Sequence, residues 1–271
     1  MGKIVVSWST VHGQSGTTAN AVALSALFAL EQPYRSLLTH TQHEYMNLES
    51  LFVKEQRASG FDDGGMAALE RLVKSKMLKP EAVSDYTDTI YKGRLDLLVG
   101  NPKGEDSLEE TDHTLRTILQ VAKHHYDVLW IDSHSGVKRP ATRTLLQDAD
   151  LVIVNLPQNR YILERFFSGQ DFPEELKDKP YMVLISMYDE KAAYSVRNIK
   201  RKFKVKAPIL TVPYATGFRD AANQQEVAQY FHRHLQAKKT DDSYSLISSL
   251  RKVNASLAKQ LGFATLEDDE L

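Results

Sequence analysis

No cysteine occurs in the 271 residues. A disulfide framework, a zinc–thiolate centre and a thiol nucleophile are therefore excluded, and the composition suits a reducing compartment. An excess of charge of either sign is also lacking. Lysine and arginine (34) almost balance aspartate and glutamate (35), leaving a formal net charge of −1. Global attraction to nucleic acid or an anionic membrane is thus excluded, and any such contact must come from a local patch. Long hydrophobic runs are missing as well. The longest apolar segment, residues 19–30, is interrupted by Asn20 and Ser25 and is too short to span a bilayer. The opening Met-Gly-Lys-Ile-Val-Val reads as a core strand, without the hydrophobic region of a secretory signal. These absences predict a cytoplasmic protein. No repeat, low-complexity tract or linker divides the chain, so one domain over 1–265 is expected, with an acidic tail at 266–271.

What is present is alternation. Apolar, β-branched runs at 3–9, 35–41, 94–99, 126–132, 151–156, 181–187 and 209–212 predict strands. Helical patterns fall between them at 19–31, 66–77, 107–125, 141–148, 160–167 and 191–203. This order predicts an α/β fold, a doubly wound and mainly parallel sheet covered by helices on both faces. Pro140, Pro157, Pro180 and Pro208 fall at junctions, where the missing N–H matters least. Leu246, Leu250, Val253, Leu257 and Leu261 recur at three- and four-residue spacing and predict an amphipathic closing helix over 241–261.

The first strand runs into Thr10-Val-His-Gly-Gln-Ser-Gly-Thr-Thr18, and a helix follows. Strand, glycine loop and helix in that order make the context of a phosphate-binding loop. Gly13 and Gly16 let the backbone curl its N–H groups toward an anion, and the helix N-terminus adds partial positive charge. Thr18 falls where such loops place a Mg²⁺-binding hydroxyl. Thr17 occupies the position of the lysine that would touch the phosphates, so the cradle is present without its cation. Further on, an apolar strand ends in Asp132 and is followed by Gly136, the order of a Mg²⁺-side carboxylate and a switch segment.

Through these residues the chain resembles the ParA/MinD (SIMIBI) P-loop ATPases, and within them the TadZ/CpaE branch, which positions pilus and secretion machinery. On the family's Lys-Gly-Gly-x-Gly-Lys-Thr-Thr loop, His12 stands for the first lysine. Gly13, Gln14, Ser15 and Gly16 follow, Thr17 replaces the second lysine and Thr18 is retained. Asp132-Ser-His-Ser-Gly136 matches the switch, and Val212-Pro213-Tyr214 matches the turn beside the adenine site. The resemblance implies nucleotide contacts from residues 12–18 and Pro213, Mg²⁺ on Thr18 and Asp132, and ATP or ADP as weakly held cofactor. It also implies a homodimer in which residue 12 crosses to the partner's phosphates, with a pilus or secretion-system protein as further partner. After the second strand the family carries a water-positioning carboxylate. The matching Thr39-His-Thr-Gln-His43 has none. Losing a charged hydrogen bond to phosphate costs about 1.5–3 kcal/mol, which binding tolerates. A missing transition-state contact costs roughly 10²–10³ in rate. A degenerate nucleotide binder, at most a weak ATPase, is the expectation. A working ATPase with a substitute cation stays open as an alternative.

Plainer readings stand beside these. Residues 12–18 also fit an ordinary strand-to-helix turn capped by Thr17 or Thr18. His40 and His43 with Glu44 read as solvated loop residues rather than a metal site. His124, His125, His232 and His234 read as surface histidines. Asp132, Ser133 and His134 point to alternate faces of one strand and cannot form a hydrolase relay. The basic run of Arg197, Lys200, Arg201, Lys202, Lys204 and Lys206 reads first as a solvated helix face, with DNA contact as in ParA-type partition proteins as its alternative. The closing helix is expected to pack on the domain, with peripheral membrane contact as the other reading.

Overall fold

The computed structural model describes residues 1–42, 47–52, 64–100 and 108–264, the side chains of 108–112 excepted. His43, Glu44 and the acidic tail lie outside the described residues. In chain order the elements are β1 (Lys3–Trp8), α1 (Thr17–Glu31), β2 (Ser36–His40), α2 (Gly65–Lys74), β3 (Asp88–Tyr91), β4 (Leu95–Leu97), α3 (Leu108–Ala122), β5 (Val128–Asp132), α4 (Pro140–Asp148), β6 (Leu151–Pro157), α5 (Arg160–Phe167), β7 (Tyr181–Tyr188), α6 (Val196–Phe203), β8 (Ile209–Pro213), α7 (Thr216–Asn223), α8 (Val227–His234) and α9 (Tyr244–Leu261). The strands form one eight-stranded sheet in the order β3-β4-β2-β5-β1-β6-β7-β8. All neighbours run parallel except the β3–β4 pair.

Side chains alternate strictly between two cores. Val5, Val128, Trp130, Leu151, Ile153, Met182 and Leu184 face α1, α8 and α9. Ile4, Val6, Leu129, Ile131, Val152, Val154, Val183 and Ile185 face the helices of the other layer. Burial on both faces is why these strands read as continuous apolar runs. Every residue of α1 from Asn20 to Ala29 is buried, which a helix apolar on all sides achieves only between a sheet and further helices. Leu246, Leu250, Val253, Leu257 and Leu261 of α9 lie in the same core, so its apolar seam is used in packing. Among the described residues no helix is long and apolar enough to cross a membrane.

Three differences from the sequence expectations have local causes. β3 was not anticipated: it is a short, half-exposed edge strand whose pairing with β4 depends on a turn in which Gly93 takes φ 67°. α7 and α8 were also not anticipated. Each has eight residues, and they are separated by Gln225 at φ 60°. The helix expected over 191–203 begins only at Val196, because Lys191 donates its backbone N–H to Asp189 and Ser195 caps the new start through the Asn198 amide.

Candidate functional site

At the C-terminal ends of the central strands the alternation that should deliver apolar residues to the α1 face delivers polar ones. Across β2, β5, β1, β6 and β7 these are His40, Asp132, Ser7, Asn155 and Ser186, all buried. His40 and Ser7 flank Asp132 in register. The Asn155 amide donates to Ser7 Oγ at 2.9 Å. Asn20, on α1, donates to Asn155 Oδ1 at 2.8 Å and to Ser186 Oγ at 2.7 Å. Ser7 in turn donates to the Thr17 carbonyl. A buried network satisfied to this degree costs little and fixes its members in one arrangement. Here it fixes the first turn of α1 over the strand ends.

The loop above this row is curled by two left-handed glycines, Gly13 (φ 74°) and Gly16 (φ 59°). Gly16 is the N-cap of α1, and no side chain caps the helix. The expected Thr17 or Thr18 cap is therefore absent. Thr18 instead donates to Asp132 Oδ2 at 2.5 Å. Ser15 is buried and lies 2.6 Å from Ser9 Oγ, whereas His12, Gly13 and Gln14 are exposed. The segment after β5 docks against the loop: Gly136 donates to the Ser9 carbonyl at 2.8 Å and accepts from Trp8 Nε1 at 2.9 Å. Gly136 has φ 69°, a backbone that disfavours any other residue.

Asp132 is fully buried. Its Oδ2 takes the Thr18 hydroxyl and, at 3.2 Å, the Gln42 side-chain amide, while Oδ1 is buried with no hydrogen-bond partner. Burial pushes this carboxyl up to about 6, against the Thr18 hydrogen bond, with Glu49 adding to the rise. An orphaned carboxylate oxygen beside a threonine hydroxyl is the hard-oxygen donor set that suits Mg²⁺. Uncapped amides at the start of α1 suit phosphate. The residues present therefore fit a Mg²⁺-nucleotide, with Thr18 and Asp132 on the metal side and residues 12–18 on the phosphates.

Sequence reasoning missed the group beside Asp132. His40 is not a solvated loop residue: its side chain is 1% exposed and its Nε2 lies 2.6 Å from Glu49 Oε1. Glu49 comes from a short 3-10 turn (Glu49–Leu51) and also accepts the Gly100 amide at 3.0 Å. Burial works against its ionisation, but the bonds from His40 and Gly100 outweigh it and hold the carboxyl below its usual range. The end of β2 thus has a carboxylate beside it, brought from residue 49. The signal in the sequence was His40 itself, a titratable residue where strand alternation calls for an apolar one.

Other candidate residues sit apart. Pro213 ends β8 at the same end of the sheet as the loop. The neighbouring Tyr214 is 52% exposed and accepts a hydrogen bond from Arg219 at 2.9 Å. Ser133 donates to the His134 carbonyl and joins no relay with Asp132. The basic residues of α6 are exposed, yet Lys202 is paired with Glu164 and Arg201 with Asn198. Lys200, Arg201, Lys202 and Lys204 lie toward the C-terminal end of α6, next to the start of β8 and so at the opposite end of the sheet from the loop. Of the surface histidines, His124 and His232 are exposed. His125 is half-buried against Arg35 at 2.7 Å, and burial and that guanidinium lower its basicity. His234 is half-buried against Ser243.

No protein-family model and no curated protein matches the sequence. Solved structures do match the fold. A ParA family ATPase from Chlorobium tepidum superposes with a TM-score of 0.71 at 12% identity, over 94% of this chain and 99% of that one. A plasmid partition protein from Borrelia burgdorferi bound to AMPPNP gives 0.68 at 15% identity, over 95% and 100%. The septum site-determining protein MinD from Pyrococcus horikoshii, complexed with Mg-ADP, gives 0.67 at 12% identity, over 96% and 99%. Helix-flanked, mostly parallel and spanned end to end by these neighbours, the chain has the fold of the ParA/MinD P-loop ATPases.

Proposed function

We propose that this chain is a degenerate ParA/MinD-type nucleotide-binding protein. It binds ATP or ADP weakly with Mg²⁺, hydrolyses it little or not at all, and serves as a localisation or assembly factor of the TadZ/CpaE kind. The observation that carries this reading is the Thr18–Asp132 contact with the orphaned Asp132 oxygen, set beneath a glycine loop that contains no lysine. Bound Mg²⁺ supplies positive charge to the phosphates. The loop amides and the α1 N-terminus supply the rest, without the charge of a lysine. Calorimetric titration with Mg²⁺-ATP should show saturable binding with a Kd well above that of a lysine-bearing relative. No heat and no thermal shift at millimolar nucleotide would remove the reading. The partition-protein alternative rests on the basic run of α6, away from this site.

The same reading includes a homodimer that meets across its nucleotides, with the exposed His12 facing the partner. A neutral imidazole donates one hydrogen bond and no full charge, so nucleotide should drive dimerisation weakly. His12→Lys should strengthen that drive about tenfold or more, the scale of one charged hydrogen bond. Sedimentation with and without Mg²⁺-ATP measures it. A dimer constant indifferent to both the nucleotide and the substitution would leave His12 outside the interface.

A further inference from the structure

We propose that Glu49 is a positioning residue for the metal side of the loop: through His40 it sets the turn after β2 so that the Gln42 side chain is held on Asp132. This inference rests on the nucleotide-binding reading. The contacts form an unbroken path. Gly100 N–H and His40 Nε2 meet Glu49 Oε1 at 3.0 and 2.6 Å. His40 Nδ1 accepts the Gln42 backbone N–H at 3.1 Å, and Gln42 Nε2 donates to Asp132 Oδ2 at 3.2 Å.

Each link constrains the next. Because Nδ1 accepts a proton donor, the ring proton of His40 sits on Nε2 and is donated to Glu49, so the carboxylate selects both tautomer and ring orientation. The imidazole so fixed offers Nδ1 to the Gln42 amide and pins the chain as it leaves β2. The Gln42 side chain then joins Thr18 on Oδ2, so both donors occupy one oxygen of Asp132 and the other stays buried without a partner. Gln42 in this way decides which carboxylate oxygen is offered to a cation. A contact made only for stability would not be built like this. Glu49 keeps Oε2 buried and unpartnered, a costly choice where an apolar side chain would pack more cheaply. Glu49 also touches neither Thr18 nor Asp132 directly, so it acts through His40.

The test compares Glu49→Ala, Glu49→Gln and Gln42→Ala with the wild type by calorimetry, using ATP in Mg²⁺ and ATP in EDTA. The structure predicts a roughly fivefold loss of Mg²⁺-ATP affinity for Glu49→Ala and Gln42→Ala, the worth of one hydrogen bond. ATP affinity in EDTA should be unchanged. Glu49→Gln keeps an acceptor for His40 and should stay within about twofold of wild type. The second measurement needs no nucleotide. Ring ¹⁵N shifts of His40 in the free protein should report the Nε2–H tautomer. In Glu49→Ala that signature should be lost and the Gln42 side-chain amide signals should move toward those of a free glutamine. Equal losses with and without Mg²⁺, or Gln42 signals indifferent to Glu49→Ala, would overturn the proposal. Should Glu49→Ala fail to fold, Gln42→Ala and Glu49→Gln carry the same comparison. If the wild type binds no nucleotide at all, the functional reading fails while the His40 and Gln42 spectra still judge the relay.

Discussion

Thr17→Lys should tighten Mg²⁺-ATP binding roughly 10- to 150-fold, the equivalent of one charged hydrogen bond to phosphate. The fold is prepared for the change. Thr17 is the first residue of α1, half-buried, and the contact it makes in the buried network uses its backbone carbonyl, which any side chain leaves in place. Lysine is also a better helix former than threonine. The left-handed Gly16 before it and the absence of a side-chain cap leave the first-turn amides available to the same phosphates. Thr17→Met, with similar reach and no charge, should leave affinity within a few-fold of wild type, which separates charge from bulk.

Turnover should not follow affinity. Hydrolysis requires a group that positions and deprotonates the attacking water, and among the described residues the carboxylate that meets Thr18 is Asp132, which the proposed reading assigns to the metal side. Glu49, a further described carboxylate at this end of β2, spends its Oε1 on His40 and Gly100 and lies beyond His40 from Asp132. Steady-state ATP turnover of Thr17→Lys should therefore remain at the wild-type baseline. Robust turnover in the wild type, abolished by Asp132→Ala, would instead make the chain a working ATPase.

The parts of this site legible in the sequence were those whose constraint is local. Gly13 and Gly16 stood out because a loop between strand and helix needs left-handed backbone there, and the structure gives both positive φ. Thr18 and Asp132 stood out because a hydroxyl one residue into a helix and a carboxylate at a strand end are fixed by element boundaries. The parallel sheet was legible for the same reason, since β1, β5, β6 and β7 are apolar on both faces. The edge pair β3–β4 was not, because its register depends on a turn rather than on burial. The His40–Glu49 contact was not legible either. It joins the end of β2 to a turn whose placement depends on tertiary packing, with Leu48 and Phe52 buried in the α1-side core. The row formed by Ser7, Asn155 and Ser186 with Asn20 hid in plain view. Each residue alone is an ordinary small polar side chain, and only the strand order places them side by side.

Asp132→Asn should stabilise the free protein at pH 8 and abolish the Mg²⁺-dependent part of nucleotide binding. In the fold this carboxyl titrates at about 6, against an ordinary value of 3.8. The raised value means that the fold prefers the protonated form. Its contribution to stability is complete below about pH 4 and is lost as pH rises through about 6, after which the buried charge is a cost. A gap of about two pH units corresponds to roughly 3 kcal/mol at most. Asparagine carries no charge and keeps an acceptor for Thr18, though its amide leaves a donor where the orphaned oxygen was, so a net gain of about 1–3 kcal/mol is expected. That is a rise in Tm of several degrees, at about 2–4 °C per kcal/mol for a chain of this size. The gain should shrink to about half at pH 5, where the folded carboxyl is mostly protonated but the unfolded one is not, and vanish only below about pH 4. Metal binding has the opposite demand, because it needs the ionised carboxylate. Wild-type Mg²⁺-ATP affinity should accordingly fall as pH drops below about 6, approaching tenfold per pH unit, while ATP affinity in EDTA stays flat through Asp132's range. Thermal melts of wild type and Asp132→Asn at pH 5 and pH 8, with titrations at the same values, measure both demands on one side chain. If the substitution lowered Tm equally at the two pH values, Asp132 would be a hydrogen-bonding strut rather than a charge held in reserve for a cation.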